Sequence, residues 1–329
     1  GDADNRLLFS VRSGSFVSRP GAMLTLLSVG MNDEIAAGLS RRPASAWNAW
    51  DCYRRFLQSW GMAFGVEREV FERLLARHKQ AQRVALKRQL SAQQMRRLAG
   101  EYRQALLARG IDLPEDPRQQ LTTAIRCVLD SWSSQSAISF RDYMQIAPDW
   151  GTAVLVQQMV FGNLSAASGS GVVFTGSPLE AGGGVSLYGD FTVCSQGEDV
   201  VSGLVNTLPV SEAQHSRQDS GERSLESAFP RIYRALHAYA TRLVEQYGLP
   251  HQEIEFTFES EQPESLYILQ TRKQNILRRE TGFRFAAPPE EMRLAGQGIG
   301  MGGGLLSGVV AFDMADMQRI RELTPAAKI

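Results

Sequence analysis

Cysteine and histidine are both scarce in this 329-residue chain, which contains three cysteines and four histidines. Cys52, Cys127 and Cys194 are odd in number, lie far apart and form no C-x-x-C pair. This pattern argues against a disulfide framework or a structural zinc site, and it favours a reducing compartment. The histidines show no spacing typical of metal ligands. We therefore expect a cytoplasmic protein.

Net charge and long apolar runs are also lacking. The 35 basic and 35 acidic side chains cancel, so no basic excess points to nucleic acid or an anionic membrane surface as a partner. The longest apolar runs, such as AVLVQQMVF, are far too short to span a bilayer. We expect no signal peptide, because no charged-then-apolar leader opens the chain. Neither end carries an evident start or stop signal, which predicts a piece of a longer protein.

Hydrophobic periodicity divides the chain into a helical part and a strand-rich part. Apolar residues recur at helical spacing from about residue 45, and Ser91 with Gln94 forms a predicted capping box. After Trp150, short apolar runs separated by glycine, serine and proline turns predict strands. The polar segment 211–224 is predicted to be a loop. Together these patterns indicate an α+β fold.

The stretch EIEFTFESEQPESLYILQTR, residues 253–272, predicts a β-hairpin that carries an unexpected set of polar groups. Because side chains alternate along a strand, Glu253 and Glu255 share one face. In the return strand the same rule places four side chains on one face: Leu266, Ile268, Gln270 and Arg272. Two carboxylates and an amide oxygen can then converge, a donor set that suits Mg²⁺, while the arginine recognises an anion. The alternative is a solvent-facing strand edge with a surface ion pair.

Three glycine-rich stretches are further candidates. SVRSGSFVSRPG places Arg12 and Arg19 around small residues whose backbone N–H groups can cradle phosphate, although an ordinary exposed turn fits equally well. SGSGVVFTGSP, which contains Gly169 and Gly171, predicts either a phosphate-cradling hairpin or a plain glycine-rich turn. GQGIGMGGG mimics a dinucleotide fingerprint, but a strand-like segment follows it, so we reject that reading.

Long stretches of the chain resemble the pyruvate, phosphate dikinase family. They are SVRSGSFVSRPGAMLTLLSVGMNDE, DCYRRFLQSWG, DWGTAVLVQQMVFGNLSAASGSGVVFTGSP, YGDFTVCSQGEDVVSG and IEFTF…LYILQTR, in the family's order across residues 7–276. The resemblance implies an ATP-grasp nucleotide-binding domain over residues 1–280 with a helical insertion at about 32–117. It also implies that residues 281–329 form a linker and the first part of a swivelling phosphohistidine domain.

The resemblance assigns roles to the candidate residues. Arg12 matches an arginine that contacts ATP phosphates, and Arg272 follows the family's site amide, so both are expected to be catalytic. Glu253, Glu255 and Gln270 match the acidic pair and the amide of a metal site, and they are expected to bind Mg²⁺ and the phosphates of ATP.

In the segment VQQMVFGN, Gln157, Met159 and Val160 are expected to recognise adenine, mainly through backbone groups, with Met159 packing on the base. The alternative is a plain core strand.

The implied activity converts ATP, pyruvate and phosphate into AMP, phosphoenolpyruvate and pyrophosphate through a phosphohistidine. The full-length enzyme is expected to be a homodimer, and the fragment alone is expected to bind Mg·ATP without completing turnover. Gly176 replaces a family arginine, so the phosphate acceptor stays open. A phosphoenolpyruvate synthase-like or other dikinase is one alternative, and a non-catalytic ATP-binding regulatory module is the other.

Overall fold

The computed structural model describes residues 7–14, 24–41, 45–147, 149–177, 184–197, 207–218 and 223–274, together with five residues near the C-terminus. Two compact units divide the chain, Gly1–Lys273 and Gln274–Ile329. Arg19, most of segment 281–329 and the whole GQGIGMGGG cluster lie outside the described residues, so the predicted swivelling domain stays a prediction.

Helices occupy most of the chain between the first strands and Met144. They are α1 Asp33–Leu39, α2 Ala46–Ala63, α3 Arg68–Gln82, α4 Ala92–Leu107, α5 Pro117–Asp130 and α6 Gln135–Met144. The predicted capping box is confirmed: the Gln94 amide donates to Ser91 Oγ at 3.2 Å, and the Ser91 amide donates to Gln94 Oε1 at 2.6 Å. The bounds of the helical insertion stay a prediction. Among the described residues, no helix is both long and apolar enough to cross a membrane.

The described strands are β1 Phe9–Gly14, β2 Thr25–Val29, β3 Ala153–Gln158, β4 Gly169–Phe174, β5 Tyr188–Val193, β6 Leu208–Pro209, β7 Gln252–Phe258 and β8 Leu266–Lys273. They form two antiparallel sheets in the described part of the chain. The first has the spatial order β2-β1-β3, and the second has the order β6-β5-β4-β7-β8. The predicted α+β fold is therefore confirmed.

Three helices accompany the five-stranded sheet: α7 Glu212–Gln218, α8 Leu225–Ala228 and α9 Pro230–Thr241. The prediction of a loop over 211–224 is wrong for Glu212–Gln218, which form α7, and residues 219–222 of that segment lie outside the described residues. The Gln214 amide donates to Ser211 Oγ at 3.3 Å, and the Gln214 side chain accepts from the Gly189 amide at 3.1 Å. These capping and tertiary hydrogen bonds support a helix that apolar periodicity does not reveal.

Each sheet has its own apolar core. The three-stranded sheet packs against α2 and α5, α4 packs on α2, and the side chains buried there include Phe56, Trp60 and Leu98. One face of the five-stranded sheet packs against α9, and the buried side chains there include Phe191, Phe229, Ile232, Phe256 and Phe258.

Strand β4 contains two glycines whose missing side chains make room for this second core. Gly169 and Gly171 lie opposite Phe258 and Phe256 of β7. A Cβ atom on Gly171 would lie 2.7 Å from Cζ of Phe256 and 2.6 Å from the carbonyl oxygen of Asp190. The predicted glycine-rich turn is therefore wrong at these positions, because cross-strand phenylalanine rings hold the segment as a strand.

A buried carboxylate lies at the centre of the helical layer. Asp51 of α2 has no exposed surface, and its oxygens lie 2.9 Å from Nε of Arg54, 2.9 Å from Nε of Arg55 and 3.3 Å from Nζ of Lys87. Nδ2 of Asn163, in the loop after β3, also donates to Asp51 at 3.1 Å. Burial alone would raise the pKa of Asp51, but the three cations together lower it well below its usual value.

We expect Asp51→Asn to destabilise the protein by about 3–5 kcal/mol at pH 7, because it removes the shared counter-charge of three cations. Because the pKa of Asp51 is lower in the folded state, its contribution is present above the unfolded value of about 3.9 and is lost as the pH falls through the folded value. Urea denaturation at several pH values measures this.

The control is Asp142→Asn, since Asp142 is exposed in α6. The deficit of Asp51→Asn should shrink below about pH 4, whereas Asp142→Asn should change stability by less than about 0.5 kcal/mol throughout. A deficit that is the same at every pH would contradict the charge argument.

We expect Gly171→Ala to destabilise the protein by about 1–3 kcal/mol, because the added methyl overlaps the Phe256 ring and the backbone of β5. Gly100 of α4 is the matched control, since a Cβ there would meet no atom within 4 Å. Gly100→Ala should stabilise by about 0.5–1 kcal/mol. Thermal melts of both variants check this, and an unchanged Gly171→Ala would show that the site has room to adjust.

Candidate nucleotide-binding site

The predicted hairpin forms from β7 and β8, which pair antiparallel. Glu253 lies opposite Arg272, and Glu255 lies opposite Gln270. Directly opposed residues of an antiparallel pair have their side chains on the same face. The structure therefore brings together the two carboxylates, the amide and the guanidinium that the sequence singled out.

A β-bulge interrupts this ladder at Leu269. Glu255 faces Gln270, but the next residue, Phe256, faces Ile268, so Leu269 has no partner in the register. Because of this extra residue, the side chains of Ile268 and Gln270 lie on opposite faces of the sheet, although the two residues are two positions apart.

The bulge corrects the prediction that four side chains of β8 share one face. Leu266 and Ile268 pack with the aromatic core behind the sheet, whereas Gln270 and Arg272 lie on the face of the two glutamates. The prediction was wrong because strict alternation does not hold across an inserted residue.

The two glutamates have different environments. Nη2 of Arg272 donates a short hydrogen bond to Oε1 of Glu253, and this bond is the main reason that the pKa of Arg272 is raised. Glu255 is half-buried, and burial raises its pKa, while the charges of Arg12 and Arg272 act in the opposite direction. No donor from the described residues forms a hydrogen bond with the Glu255 carboxylate. This carboxylate therefore has acceptor capacity left over.

Arg12 reaches the hairpin from the other sheet. It lies within β1, opposite Leu155 of β3, rather than in the predicted loop. Its Nη2 donates to the carbonyl oxygen of Leu269 at 3.0 Å. The candidate arginine thus contacts the hairpin directly, although most of the glycine-rich segment after it lies outside the described residues.

The predicted adenine segment also contacts the hairpin. Nε2 of Gln157 donates to the same Leu269 carbonyl oxygen at 3.4 Å. The Met159 amide donates to the Leu8 carbonyl at 2.8 Å, and Met159 packs at the edge of the first core. Backbone hydrogen-bonding groups alternate in direction along an antiparallel strand. The N–H and C=O of Gln158 therefore point away from β1, towards the edge of β3 that pairs with no described strand. The adenine roles of Gln157, Met159 and Val160 stay predictions.

Gly169 and Gly171 do not join this cluster. Their missing side chains face the aromatic core, and β4 is hydrogen-bonded to β5 on one side and β7 on the other. Backbone N–H groups that are used in a sheet ladder cannot cradle a phosphate.

Sequence reasoning missed Asp190 of β5. Asp190 lies opposite Val172, which itself lies opposite Glu255, so all three share the polar face of the sheet. Burial raises the pKa of Asp190, and Thr207 Oγ1 lies 3.4 Å from its carboxylate. Alternation within YGDFTV could have indicated that Asp190 lies on one face of a strand, but only the strand order places it on the same face as Glu255, with β4 between them.

A divalent cation fits this donor set. Glu255, Gln270 and the second oxygen of Glu253 are hard oxygen donors of the kind that Mg²⁺ prefers. The unsatisfied carboxylate of Glu255 supports the fit. In the part of the chain that the structure describes, no three or more His, Cys, Asp or Glu side chains form a metal-like cluster by themselves. A bound cation would therefore need the amide oxygen and further ligands from its substrate.

The chain is similar to known proteins over most of its length. Residues 1–226 match the family model described as "Pyruvate phosphate dikinase, AMP/ATP-binding domain". Pyruvate, phosphate dikinase of Rhizobium meliloti is 40% identical over 274 residues, which is 83% of this chain and 30% of that protein. The Rickettsia typhi enzyme is 37% identical over 269 residues, or 82% of this chain and 29% of that protein.

The chloroplastic pyruvate, phosphate dikinase of Mesembryanthemum crystallinum is 38% identical over 274 residues, 83% of this chain and 27% of that protein. The chain thus spans less than a third of the length of these relatives. Since the family model covers more than half of the chain, the protein belongs to the pyruvate phosphate dikinase AMP/ATP-binding domain family.

Proposed function

We propose that this chain is the ATP-grasp, pyrophosphoryl-donating part of a pyruvate, phosphate dikinase-like enzyme. The observation that carries the proposal is that Arg12 of the first sheet donates to the hairpin of the second sheet, in which Glu255 and Arg272 lie on one face. Two guanidinium groups beside hard oxygen donors suit the polyphosphate of a nucleotide bound with its metal. The family description, which names AMP and ATP, supports the same ligand.

Each residue of the site then has a chemical task. Arg12 and Arg272 stabilise the negative charge of the transferred phosphoryl groups. Glu253 holds the Arg272 guanidinium in place through its hydrogen bond. Glu255 and Gln270, with the second oxygen of Glu253, would hold Mg²⁺, which supplies charge neutralisation and orientation of the phosphates when it is bound. Backbone groups along Gln157–Val160 read the adenine.

A dikinase with a different phosphate acceptor is the second candidate, and Gly176 favours it. This glycine replaces an arginine of the family pattern. A Cβ atom on Gly176 would lie 2.9 Å from Cγ of His251, so the imidazole fills the space that a side chain would need. His251 is held there by a 3.1 Å hydrogen bond between its Nδ1 and Thr175 Oγ1. For the longer protein, the proposal includes a histidine that ATP pyrophosphorylates and an acceptor for one of its phosphoryl groups.

We expect Glu255→Gln to weaken Mg·ATP binding by about 10–100-fold, because the site loses an anionic oxygen donor. In EDTA the same variant should bind free ATP as well as the parent or better, since a carboxylate that repels the phosphates is gone. Titration calorimetry on the 329-residue chain, with and without Mg²⁺, measures both affinities.

Glu264→Gln is the matched control, since Glu264 is exposed in the turn between β7 and β8. It should bind like the parent in both buffers. If Glu255→Gln binds Mg·ATP normally, the metal assignment is wrong. If it loses both affinities and also melts early, Glu255 has a structural role instead.

A further inference from the structure

We propose that the bulge at Leu269 is a positioning element for the nucleotide site: its main-chain carbonyl holds the Arg12 guanidinium against the phosphate-binding face, with Gln157 as the second donor. This inference deepens the proposed function and rests on it. It concerns the backbone of Leu269 and the side chain of Gln157, neither of which the sequence marked as a phosphate-positioning group.

The main-chain carbonyl of Leu269 is available to donors from outside its own sheet. Among the described strands, β8 lies at the edge of its sheet, and the inserted Leu269 has no partner in the ladder with β7. A half-buried carbonyl needs donors from elsewhere. Arg12 and Gln157 supply them at 3.0 Å and 3.4 Å, and they come from neighbouring strands of the other sheet.

The Leu269 carbonyl fixes the orientation of the Arg12 side chain. One Nη2 contact to the Leu269 carbonyl orients the planar guanidinium, which carries five N–H groups in a fixed fork. Among the described residues, Leu269 provides the only hydrogen-bond acceptor for Arg12. The remaining N–H groups are therefore left for an anionic ligand.

Gln157 is the second side chain that donates to the Leu269 carbonyl. Its side chain shares the acceptor with Arg12, and its strand, β3, leads directly into the proposed adenine segment. One carbonyl oxygen thus connects the strand proposed to read the base with the hairpin proposed to bind the phosphates. Gln157 then acts as a positioning residue through its side chain, whatever its backbone contributes to adenine.

Deletion of Leu269 is a sharp test, because the register predicts its structural consequence. Without Leu269, Ile268 is followed directly by Gln270, so Phe256–Ile268 and Glu255–Gln270 pair in an unbroken ladder and every side chain keeps its face. The deletion thus removes the shared carbonyl together with the Leu269 side chain. Leu269→Ala is the matched control, since it removes the side chain and keeps the carbonyl.

We expect the deletion to weaken Mg·ATP binding by about tenfold or more, while its adenosine affinity stays within about twofold of the parent. Gln157→Leu should also weaken Mg·ATP binding. Leu269→Ala should bind both ligands normally. In an Arg12→Ala background the deletion and Gln157→Leu should have no further effect on ATP affinity, because both act through Arg12. Calorimetry with ATP and adenosine on these variants gives the complete cycle.

The outcomes separate this inference from the proposed function. If the parent chain binds no Mg·ATP, the proposed function fails first. If the parent binds ATP and the deletion binds it equally well, or if deletion and Arg12→Ala are additive, the positioning role is overturned while the function stands. Should the deletion variant not fold, Gln157→Leu and its Arg12→Ala double variant decide alone, since neither alters the ladder.

Discussion

The buried charge of Asp51 is the interaction on which the arrangement of the helices and strands depends. Removing a carboxylate from water costs several kcal/mol, and only a complete set of partners offsets it. Arg54, Arg55 and Lys87 provide the opposite charge, and Asn163 adds an amide hydrogen bond. The Asn163 side chain in turn accepts from Gln196, which follows β5, at 3.0 Å.

This network therefore attaches α2 to segments that leave strands of both sheets. Asn163 follows β3 of the first sheet, and Gln196 follows β5 of the second. A second link runs from the Phe161 amide to Oε1 of Glu259 at 2.9 Å, directly after β7. Contacts of this kind hold the two sheets close enough for Arg12 to reach Leu269, so a helix far along the chain contributes to the geometry of the site.

Local pattern predicted much of the fold, and pairing between distant segments explains what it missed. The capping box at Ser91 and the hairpin of Glu253–Arg272 depend on neighbouring residues, so they could be read directly. The strand at Gly169 depends on phenylalanine rings that lie some 85 residues later, and the bulge at Leu269 depends on which residues face it across the ladder. Nothing in the sequence marks Asp51 as buried, because an aspartate beside two arginines on a helix usually indicates a solvated face.

The charges of the candidate site suit the proposed binding of a nucleotide together with a metal ion. Glu253 and Glu255 contribute two negative charges, and Arg12 and Arg272 contribute two positive charges, so the cluster is neutral before any ligand binds. Asp190 on the same face adds only negative charge. A triphosphate that entered this half-buried site alone would leave its charges largely uncompensated, which is costly at low dielectric. Under the proposed function, a cluster with a spare carboxylate would accept the phosphates once a divalent cation arrives with them, and it would discriminate against the metal-free nucleotide.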